Sequence, residues 1–293
     1  MIGQAKTLTA FACGVLLNLI PCSSFHTHSI CARTRDFSIN SSSPSSIPDS
    51  SSAPSLTDLN SKAIRLKDDL IAIAASTRRG FSASKNDREK VNKIVNELSM
   101  YSPSDQPAAA YYSEGSRDST NVNNGASLAG KWTLIYTDAP DITSLDGGPL
   151  STAKLGKIGQ ECSPPYIKNV IEWKKPDWAM SLPFTGSESS RILQKVCCEA
   201  SSNPANPKEV DLKLVGLEIS GSNDNNVSEN GSDLSNKILN GPAGLLEGSP
   251  INLRGPLTAP FGKFEILYLD YEMRITRTFQ GFTAVNIRED TWF

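Results

Sequence analysis

The spacing of apolar residues along the chain changes near Gly130. Before that point, two stretches repeat apolar residues every three or four positions, which is the period of an amphipathic helix. Ser84 stands where the second helix needs an N-cap. Each stretch has a single apolar stripe, so we expect two helices within residues 56–100 that dock on a larger body. The stripes are Leu56, Leu59, Ala63, Leu66, Leu70 and Ile73, and Val91, Ile94, Val95 and Leu98.

From Gly130 onward apolar residues alternate with polar ones, which is the period of a β-strand. The first strand places Trp132, Leu134 and Tyr136 two residues apart, and we expect them to share one face. About eight short strands with no helical pattern between them indicate an antiparallel barrel or sandwich. Other alternating runs are Ile167–Trp173, Trp178–Phe184, Ile192–Cys198, Val210–Ile219, Phe264–Ile275 and Phe282–Ile287.

The alternation changes phase at two places within these runs. One change lies between Leu214 and Leu217, and the other follows Tyr268. A change of phase within a strand requires an extra residue or a bend, so at the second place we expect a bulge or tight bend between Tyr268 and Asp270.

The loops after residue 219 differ sharply in polarity. Residues 220–236 are polar and rich in glycine, which is typical of an exposed loop. The following segment is apolar but contains Pro and Gly residues that prevent a regular helix. An apolar loop of this kind covers the core, closes the mouth of a barrel or contacts lipid. Its apolar residues are Leu245, Leu246, Ile251, Leu253, Leu257 and Phe261.

The first 55 residues have the composition of a targeting sequence in two parts. Residues 1–24 contain an apolar run too short to span a bilayer, followed by small residues, as in a signal peptide. Residues 25–55 are rich in Ser, contain Arg and few acids, and are typical of a disordered transit peptide. The combination looks like the presequence of algae whose plastids lie inside the endomembrane system. A plain secreted protein is the alternative.

The remaining chain divides by composition into three parts. The helical part at 56–100 is followed by a linker at 101–127 that is rich in Ser, Asn, Pro and Gly. A strand-rich domain then occupies 128–293, with loop insertions over 220–262. The net charge of −2 and the lack of a basic cluster interleaved with aromatics give no support to nucleic-acid binding.

Histidine and cysteine limit the chemistry of the mature chain. The two histidines, His26 and His28, lie in the presequence, which excludes a Ser-His-Asp or Cys-His relay and histidine-ligated metal. Cys162, Cys197 and Cys198 are odd in number, and the last two are expected on opposite faces of a strand. We therefore expect three thiols in a reducing compartment, and neither catalytic residues nor a metal or cofactor site.

Four separated pieces of the chain, between about Leu66 and Glu289, carry a resemblance to one family. They are LIAIAASTRRGFSASKNDREKVNKIVNEL, LAGKWTLIYTDAP, LGKIGQ and YLDYEMRITRTFQGFTAVNIRE, and together they resemble the plastid lipid-associated proteins, or plastid fibrillins. The resemblance implies a lipocalin-like β-barrel in plastids, either stromal or peripheral on thylakoids or plastoglobules. It also implies binding of hydrophobic small molecules such as prenylquinones, carotenoids or other lipids, and in some members binding to a prenyl diphosphate synthase. The polar spacer after Leu98 and the 220–236 insertion depart from the family pattern, which leaves the subfamily and partner open.

A barrel of about eight strands is either filled by its side chains or holds one small ligand. In lipocalin-like folds a tryptophan at the position of Trp132 is a structural plug. Asp270 and Arg274 form an ion pair or, alternatively, a polar anchor for a ligand headgroup. The apolar candidates for ligand contact are Leu134, Tyr136, Phe184, Tyr268 and Met273.

Three functions are consistent with these patterns. The first is a non-enzymatic module that carries hydrophobic molecules, and the second is a scaffold whose helices or apolar loop dock a prenyl diphosphate synthase. The third, by fold analogy with a pigment-converting lipocalin-type enzyme, is an enzyme that uses carboxylates such as Asp270 and Glu272. Since no membrane-spanning or lipidation pattern occurs, any membrane contact is expected to be peripheral.

Overall fold

The computed structural model describes residues 56–108, 127–146, 153–180, 190–203, 205–222, 246, 250–253 and 259–289, and only the backbone of 56–58 and 259–261. The chain divides into two units, Met1–Ser61 and Lys62–Phe293. The first unit is described only from Leu56, where the first helix begins, and every contact below lies in the second. The predicted presequence, Phe184, Leu245, Leu257 and the side chain of Phe261 lie outside the described residues.

Eight antiparallel strands close into a barrel. Neighbours pair in the order β4-β3-β2-β1-β9-β8-β7-β5, and β4 also pairs with β5, which completes the ring. The short strand β6 extends the sheet on β5, beyond the part of β5 that pairs with β7. The predicted mainly-β barrel preceded by helices is confirmed. The strands are β1 (Gly130–Thr137), β2 (Lys154–Ser163), β3 (Tyr166–Lys174), β4 (Arg191–Asn203), β5 (Asn206–Ser222), β6 (Ile251–Leu253), β7 (Ala259–Leu269), β8 (Met273–Thr278) and β9 (Thr283–Arg288).

The pairing register defines an inner and an outer face of the wall, because directly opposite residues on antiparallel strands project to the same side. Trp132 lies opposite Gln160 on β2 and Arg288 on β9. The guanidinium of Arg274 on β8 reaches Gln160 and Cys162 on β2, although β9 and β1 lie between these strands in the wall. Such a contact crosses the interior, so these side chains mark the inner face.

Two helices pack on the outer face of the wall. They are α1 (Leu56–Ser76) and α2 (Lys85–Leu98), followed by a 3-10 turn at Ser99–Tyr101. Ser84 and Asp87 form a capping box at the start of α2, which confirms the predicted N-cap. The apolar stripes of the helices and the outer face bury one another, with exposed fractions at or near zero for most members. This outer cluster consists of Leu66, Leu70, Ala74, Val91, Val95, Leu98, Tyr136, Tyr268, Met273, Ile275 and Val285.

Bulges in β1 and β7 supply part of this outer cluster. The register shifts between Leu134 and Tyr136 in β1, so Leu134 lies opposite inner Asn286 while Tyr136 lies opposite outer Val285. The prediction that Leu134 and Tyr136 share a face is therefore wrong, because Ile135 is an extra residue in the strand. Ile135 itself packs against the outer cluster.

The strand β7 has an equivalent bulge between Ile266 and Tyr268, with Leu267 as the extra residue packed against the helices. It lies just before the predicted position, and a turn at residues 270–272 then separates β7 from β8. The change of phase between Leu214 and Leu217 coincides with a third bulge, since the register shifts there and Leu214 and Leu217 both lie on the inner face.

A left-handed turn connects α1 to the barrel. Arg78, Arg79 and Gly80 all have positive φ, and the carbonyl of Arg79 accepts a hydrogen bond from Thr137 N–H at 3.0 Å. A Cβ on Gly80 would lie 2.0 Å from the Thr137 carbonyl oxygen, so only glycine fits this approach. The Arg79 guanidinium also donates to the Gly156 carbonyl at 2.8 Å. The turn therefore fixes the end of α1 to β1 and β2.

The strand predicted over Trp178 and Met180 is not formed. Residues Asp177–Ala179 are a 3-10 turn, with Pro176 at its N-cap and the Pro176 carbonyl bonded to Ala179 N–H at 3.0 Å. Proline has no N–H for a strand ladder, and its fixed φ favours the start of such a turn. Trp178 and Met180 are exposed.

Candidate functional site

The barrel interior is closed at the end where β1 begins, which we call the closed end. Trp132 is fully buried there, and its ring centre lies 5.1 Å from the guanidinium of Arg274 and 4.3 Å from that of Arg288. The indole N–H donates to the Leu128 carbonyl at 2.9 Å. Arg288 donates to three backbone carbonyls, those of Ser127, Ala129 and Tyr271. These bonds tie the approach to β1 across the closed end.

Arg274 occupies the interior above Trp132 and is completely buried. Its Nη2 donates to Gln160 Oε1 at 2.6 Å, and its Nη1 contacts Cys162 Sγ at 3.3 Å. Gln160 in turn donates to Asn169 Oδ1 at 2.6 Å. The Nε of Arg274 has no hydrogen-bond partner. The interior thus contains a buried cation whose hydrogen-bonding capacity is only partly used.

The acidic residues of the described barrel strands all lie on the outer face. Each one stands next in sequence to a residue that the register places inside, and successive residues of a strand face opposite sides. Arg274 therefore has no carboxylate partner on the inner wall of these strands. The acidic residues are Glu161, Glu172, Glu199, Glu209, Asp211, Glu218 and Glu265.

Two further polar atoms on the inner face are buried without a partner. Gln194 accepts a hydrogen bond from the Trp173 indole at 3.0 Å, but its Nε2 donates to nothing. The Ser202 hydroxyl is likewise unsatisfied. Buried polar atoms are nearly always paired, so unsatisfied donors that face an interior point to a missing acceptor.

The exposure of the inner wall rises along β5 toward the opposite end, which we call the open end. Val210 is 0% exposed and Leu212 is 9% exposed, whereas Leu214, Leu217 and Ile219 are partly exposed. Ile251 and Leu253 of β6 lie opposite Ile219 and Leu217 and are 44% and 49% exposed. An apolar inner wall thus reaches solvent at the open end.

The other side of the open end is covered by apolar side chains. Leu134, Ile158 and Ile171 form a buried inner cluster. Side chains from the α1–α2 turn, from the short helix α3 (Pro140–Thr143) and from the segment after it pack on this cluster, together with strand residues. They are Phe81, Ile142, Leu145, Leu155, Trp173 and Ala284. Among the described residues, the open end is therefore least covered beside β5 and β6.

A hollow of about 600 Å³ lies at the seam between β5 and β7. Its lining combines inner Leu212 and Gly262 with outer Asp211 and Lys213, and Phe279 of the β8–β9 turn covers one side. A second hollow of about 240 Å³ adjoins it and shares Lys263 and Phe279. Both hollows lie along the paired parts of β5 and β7, and the second extends to the end of β8.

The predicted ligand-contact residues are divided between the two faces. Leu134 and Arg274 lie inside, whereas Tyr136, Tyr268 and Met273 lie outside, beneath the helices. Burial raises the pKa of Tyr136 to about 12. Tyr136, Tyr268 and Met273 therefore contribute to helix docking. Of the predicted loop residues, Leu246 is partly buried, and Ile251 and Leu253 lie at the open end.

Asp270 lies in the β7–β8 turn, on the opposite side of the wall from Arg274. Its carboxylate accepts hydrogen bonds from Lys67 of α1 at 2.9 Å, from the Tyr268 hydroxyl at 2.7 Å, and from two backbone N–H groups at 2.6 and 2.8 Å. The predicted Asp270–Arg274 ion pair is wrong, because the turn directs Asp270 toward α1. Burial raises the pKa of Asp270, but the donors around it outweigh that effect and hold the pKa below its ordinary value.

Gln160, Asn169 and Gln194 are inner polar residues that the sequence analysis missed. Each occupies an inward position within an apolar alternation, as Gln160 does between Ile158 and Cys162. A polar residue at an inward position of an apolar strand was the sequence signal that could have identified them. The described residues contain no cluster of three or more His, Cys, Asp or Glu that could hold a metal ion. Among the described helices, none has the length and apolar character needed to cross a membrane.

Comparisons with known proteins give one match. The family model PAP_fibrillin matches residues 64–285, which include most of α1, all of α2 and most of the barrel. No curated protein and no solved structure matches the chain.

Proposed function

The chain belongs to the PAP_fibrillin family of plastid lipid-associated proteins, and on this basis we propose that it holds one hydrophobic small molecule in its barrel without transforming it. The candidates are a prenylquinone, a carotenoid or another lipid. The observation that carries the proposal is the apolar inner wall that becomes exposed along β5 and β6. A bound apolar molecule would cover this wall and remove it from water.

A non-enzymatic role is supported by the hydrogen bonding and position of Asp270 and Glu272, the two carboxylates considered for catalysis. Asp270 is saturated by four donors, and the pKa of its carboxyl is held below the ordinary value, so it is a poor general base at neutral pH. Glu272 is exposed and pairs with Lys67 on the outside of the barrel. Neither group faces the interior where a ligand would lie.

The test is organic extraction and mass spectrometry of residues 55–293, purified from the native host. We expect one molecule of prenylquinone, carotenoid or lipid for each chain. Leu217→Glu places a charge on the inner wall at the open end and should abolish retention of the ligand, whereas Lys213→Glu, on the outer face, should not. A folded wild-type protein that yields a clean extract and binds no added quinone or carotenoid contradicts the proposal.

We further propose that the open end contacts lipid peripherally in the plastid. Ile251 and Leu253 are exposed there, and Trp178, Met180 and Phe279 are exposed in connections at the same end. Aromatic and aliphatic side chains of this kind insert into the interfacial region of a bilayer. Flotation with galactolipid and phosphatidylglycerol vesicles should therefore fall in an Ile251→Ser/Leu253→Ser variant. Unchanged flotation contradicts this orientation.

A second candidate function is a scaffold for a prenyl diphosphate synthase. It is favoured by Ile64 and Ile71, which are 55% and 44% exposed on α1 and lie seven residues apart on one helix face. An Ile64→Ser/Ile71→Ser variant should lose capture of the synthase but keep vesicle flotation. The Ile251→Ser/Leu253→Ser variant should keep capture of the synthase but lose vesicle flotation. Each variant is the control for the other, and capture that survives the helix substitutions contradicts the scaffold.

A further inference from the structure

The described part of the inner wall presents one buried cation, Arg274, without an anionic partner. Arg274 is 0% exposed, and its described contacts are the Gln160 amide oxygen, the Cys162 sulfur and the Trp132 ring. A guanidinium cannot lose its proton in a protein, so the charge remains when the side chain is buried. An isolated buried charge is costly unless it is paired.

Nothing on the described inner wall supplies the missing negative charge. The acidic residues of the barrel strands all project outward, and the Nε of Arg274 has no acceptor. Arg288 does not compete for an incoming anion, because its donors bind backbone carbonyls across the closed end. Arg274 is therefore the guanidinium of the described inner wall that remains to bind an incoming anion.

The surroundings of Arg274 define what carries that negative group. Toward the open end the inner wall is apolar, with Leu134, Ile158 and Ile171 buried on one side and Leu217 and Ile219 partly exposed on the other. A small hydrated anion would gain nothing from these residues. A diphosphate carries more charge than one guanidinium compensates.

We propose that the barrel binds a long-chain carboxylate, whose ionised head lies at Arg274 and whose apolar chain runs toward the open end. This inference rests on the proposed function and specifies its ligand as an acid rather than a neutral quinone or carotenoid. The carboxylate accepts hydrogen bonds from Arg274 in competition with Gln160, and its charge is compensated in a water-poor site.

The experiment measures binding of oleate, methyl oleate, acetate and farnesyl diphosphate to residues 55–293 by titration calorimetry. Oleate should bind at least about tenfold more tightly than methyl oleate, which has the same chain but no charge. Acetate and farnesyl diphosphate should not bind detectably. Equal affinity for oleate and methyl oleate overturns the carboxylate inference but leaves the lipid-holding function intact, whereas failure of oleate, the ester and a quinone alike overturns both.

Variants at position 274 test the residue itself. Arg274→Gln should reduce the preference for oleate over its ester to within about threefold. Arg274→Lys should keep part of the preference because it retains the charge. If Arg274→Gln lowers only the unfolding midpoint and leaves the preference unchanged, Arg274 has a structural role and the inference is wrong.

A measurement on the wild-type protein covers the case in which Arg274→Gln does not fold. The carboxyl carbon of ¹³C-labelled oleate reports its own ionisation by NMR. A neighbouring guanidinium should lower the pKa of the bound carboxyl below that of a carboxyl in water. A bound carboxyl whose pKa is unchanged or raised excludes contact with Arg274.

Discussion

Trp132 shows how single residues close one end of the barrel. The ring contacts two guanidinium groups, and its N–H is bonded to the Leu128 carbonyl. The strand pattern alone did not show which of the inner aromatic residues would be structural. The assignment of Trp132 as a plug came from the family resemblance, and the contacts described here are those of such a plug.

Replacement of Trp132 by Ala should lower the free energy of unfolding by about 3–5 kcal/mol, because removal of this fully buried ring leaves a large cavity. Trp178→Ala is the matched control, since Trp178 is 54% exposed and should cost within about 0.5 kcal/mol. Urea denaturation followed by circular dichroism measures both. Similar losses for the two variants would show that the cation–aromatic stack does not stabilise the closed end.

Asp270 connects the β7–β8 turn to α1 and makes this contact dependent on pH. Because the pKa of the folded state is lowered, the ionised carboxylate stabilises the fold above the pKa of an unfolded aspartate, about 3.9. That contribution is lost as the pH falls through the lower folded pKa. The sequence pattern could not anticipate this role, because the partner Lys67 lies about 200 residues earlier in the chain.

Asp270→Asn should cost about 1.5–3 kcal/mol of unfolding free energy at pH 7, and the difference from wild type should shrink below about pH 4. Glu272→Gln is the control, because Glu272 also contacts Lys67 but is largely exposed and should change stability by less than about 1 kcal/mol. Urea titrations at pH 7 and at pH 3 compare the variants. A loss that is the same at both values would mean that the carboxylate charge is not involved.

At the scale of elements, the sequence predicted the two helices and most strands because their periods of 3.6 and 2 are clear. It failed at the first bulge, in β1, because the wall there is buried on both sides. Ile135 and Tyr136 pack beneath the helices while Leu134 packs inside, so alternation of polarity no longer separates the faces. In β5 the change of phase was visible in the sequence because one side of that strand is polar, although the sequence analysis did not assign a bulge to it.

The turn between α1 and the barrel gives the sharpest test at this scale. Gly80→Ala should destabilise the protein by at least about 2 kcal/mol more than Gly281→Ala. Both glycines have φ near +90°, but a Cβ at Gly281 meets nothing within 4 Å, whereas one at Gly80 meets the Thr137 carbonyl. Both variants carry the strain of an alanine at positive φ, but only Gly80→Ala brings a Cβ against the Thr137 carbonyl. Thermal and urea unfolding of the two variants therefore separate the effect of this contact from that of the strain. Equal losses would exclude the approach as the cause.

At the scale of the whole molecule, closure of the barrel divides the cysteines by access. Cys162 and Cys198 are buried, and Cys197 is partly exposed on the outer face, as the sequence predicted for adjacent residues on a strand. Burial raises the pKa of the Cys198 thiol to about 12, so it holds almost no reactive thiolate near neutral pH. Closure itself could not be derived from local patterns, because it depends on pairing between β4 and β5 and between β1 and β9.

In residues 55–293, Ellman's reagent at pH 8 should modify Cys197 first, and Cys162 and Cys198 only as urea unfolds the chain. Cys197→Ser should remove the fast phase and leave the slow one. Mass spectrometry of the labelled peptides identifies each site. Rapid labelling of Cys198 in the native state would show that the wall opens without unfolding.

The bulge in β1 also determines where the length of the strand can change in evolution. Loss of one residue from a regular part of a strand exchanges the inner and outer sets beyond it. Loss of Ile135 would not, because Leu134 would still face Asn286 and Tyr136 would still face Val285 in a regular ladder. Leu267 is the equivalent extra residue in β7, because Ile266 pairs with Thr276 and Tyr268 with Ile275. Within these strands, single-residue deletions are therefore expected to survive at the bulges and to be eliminated elsewhere.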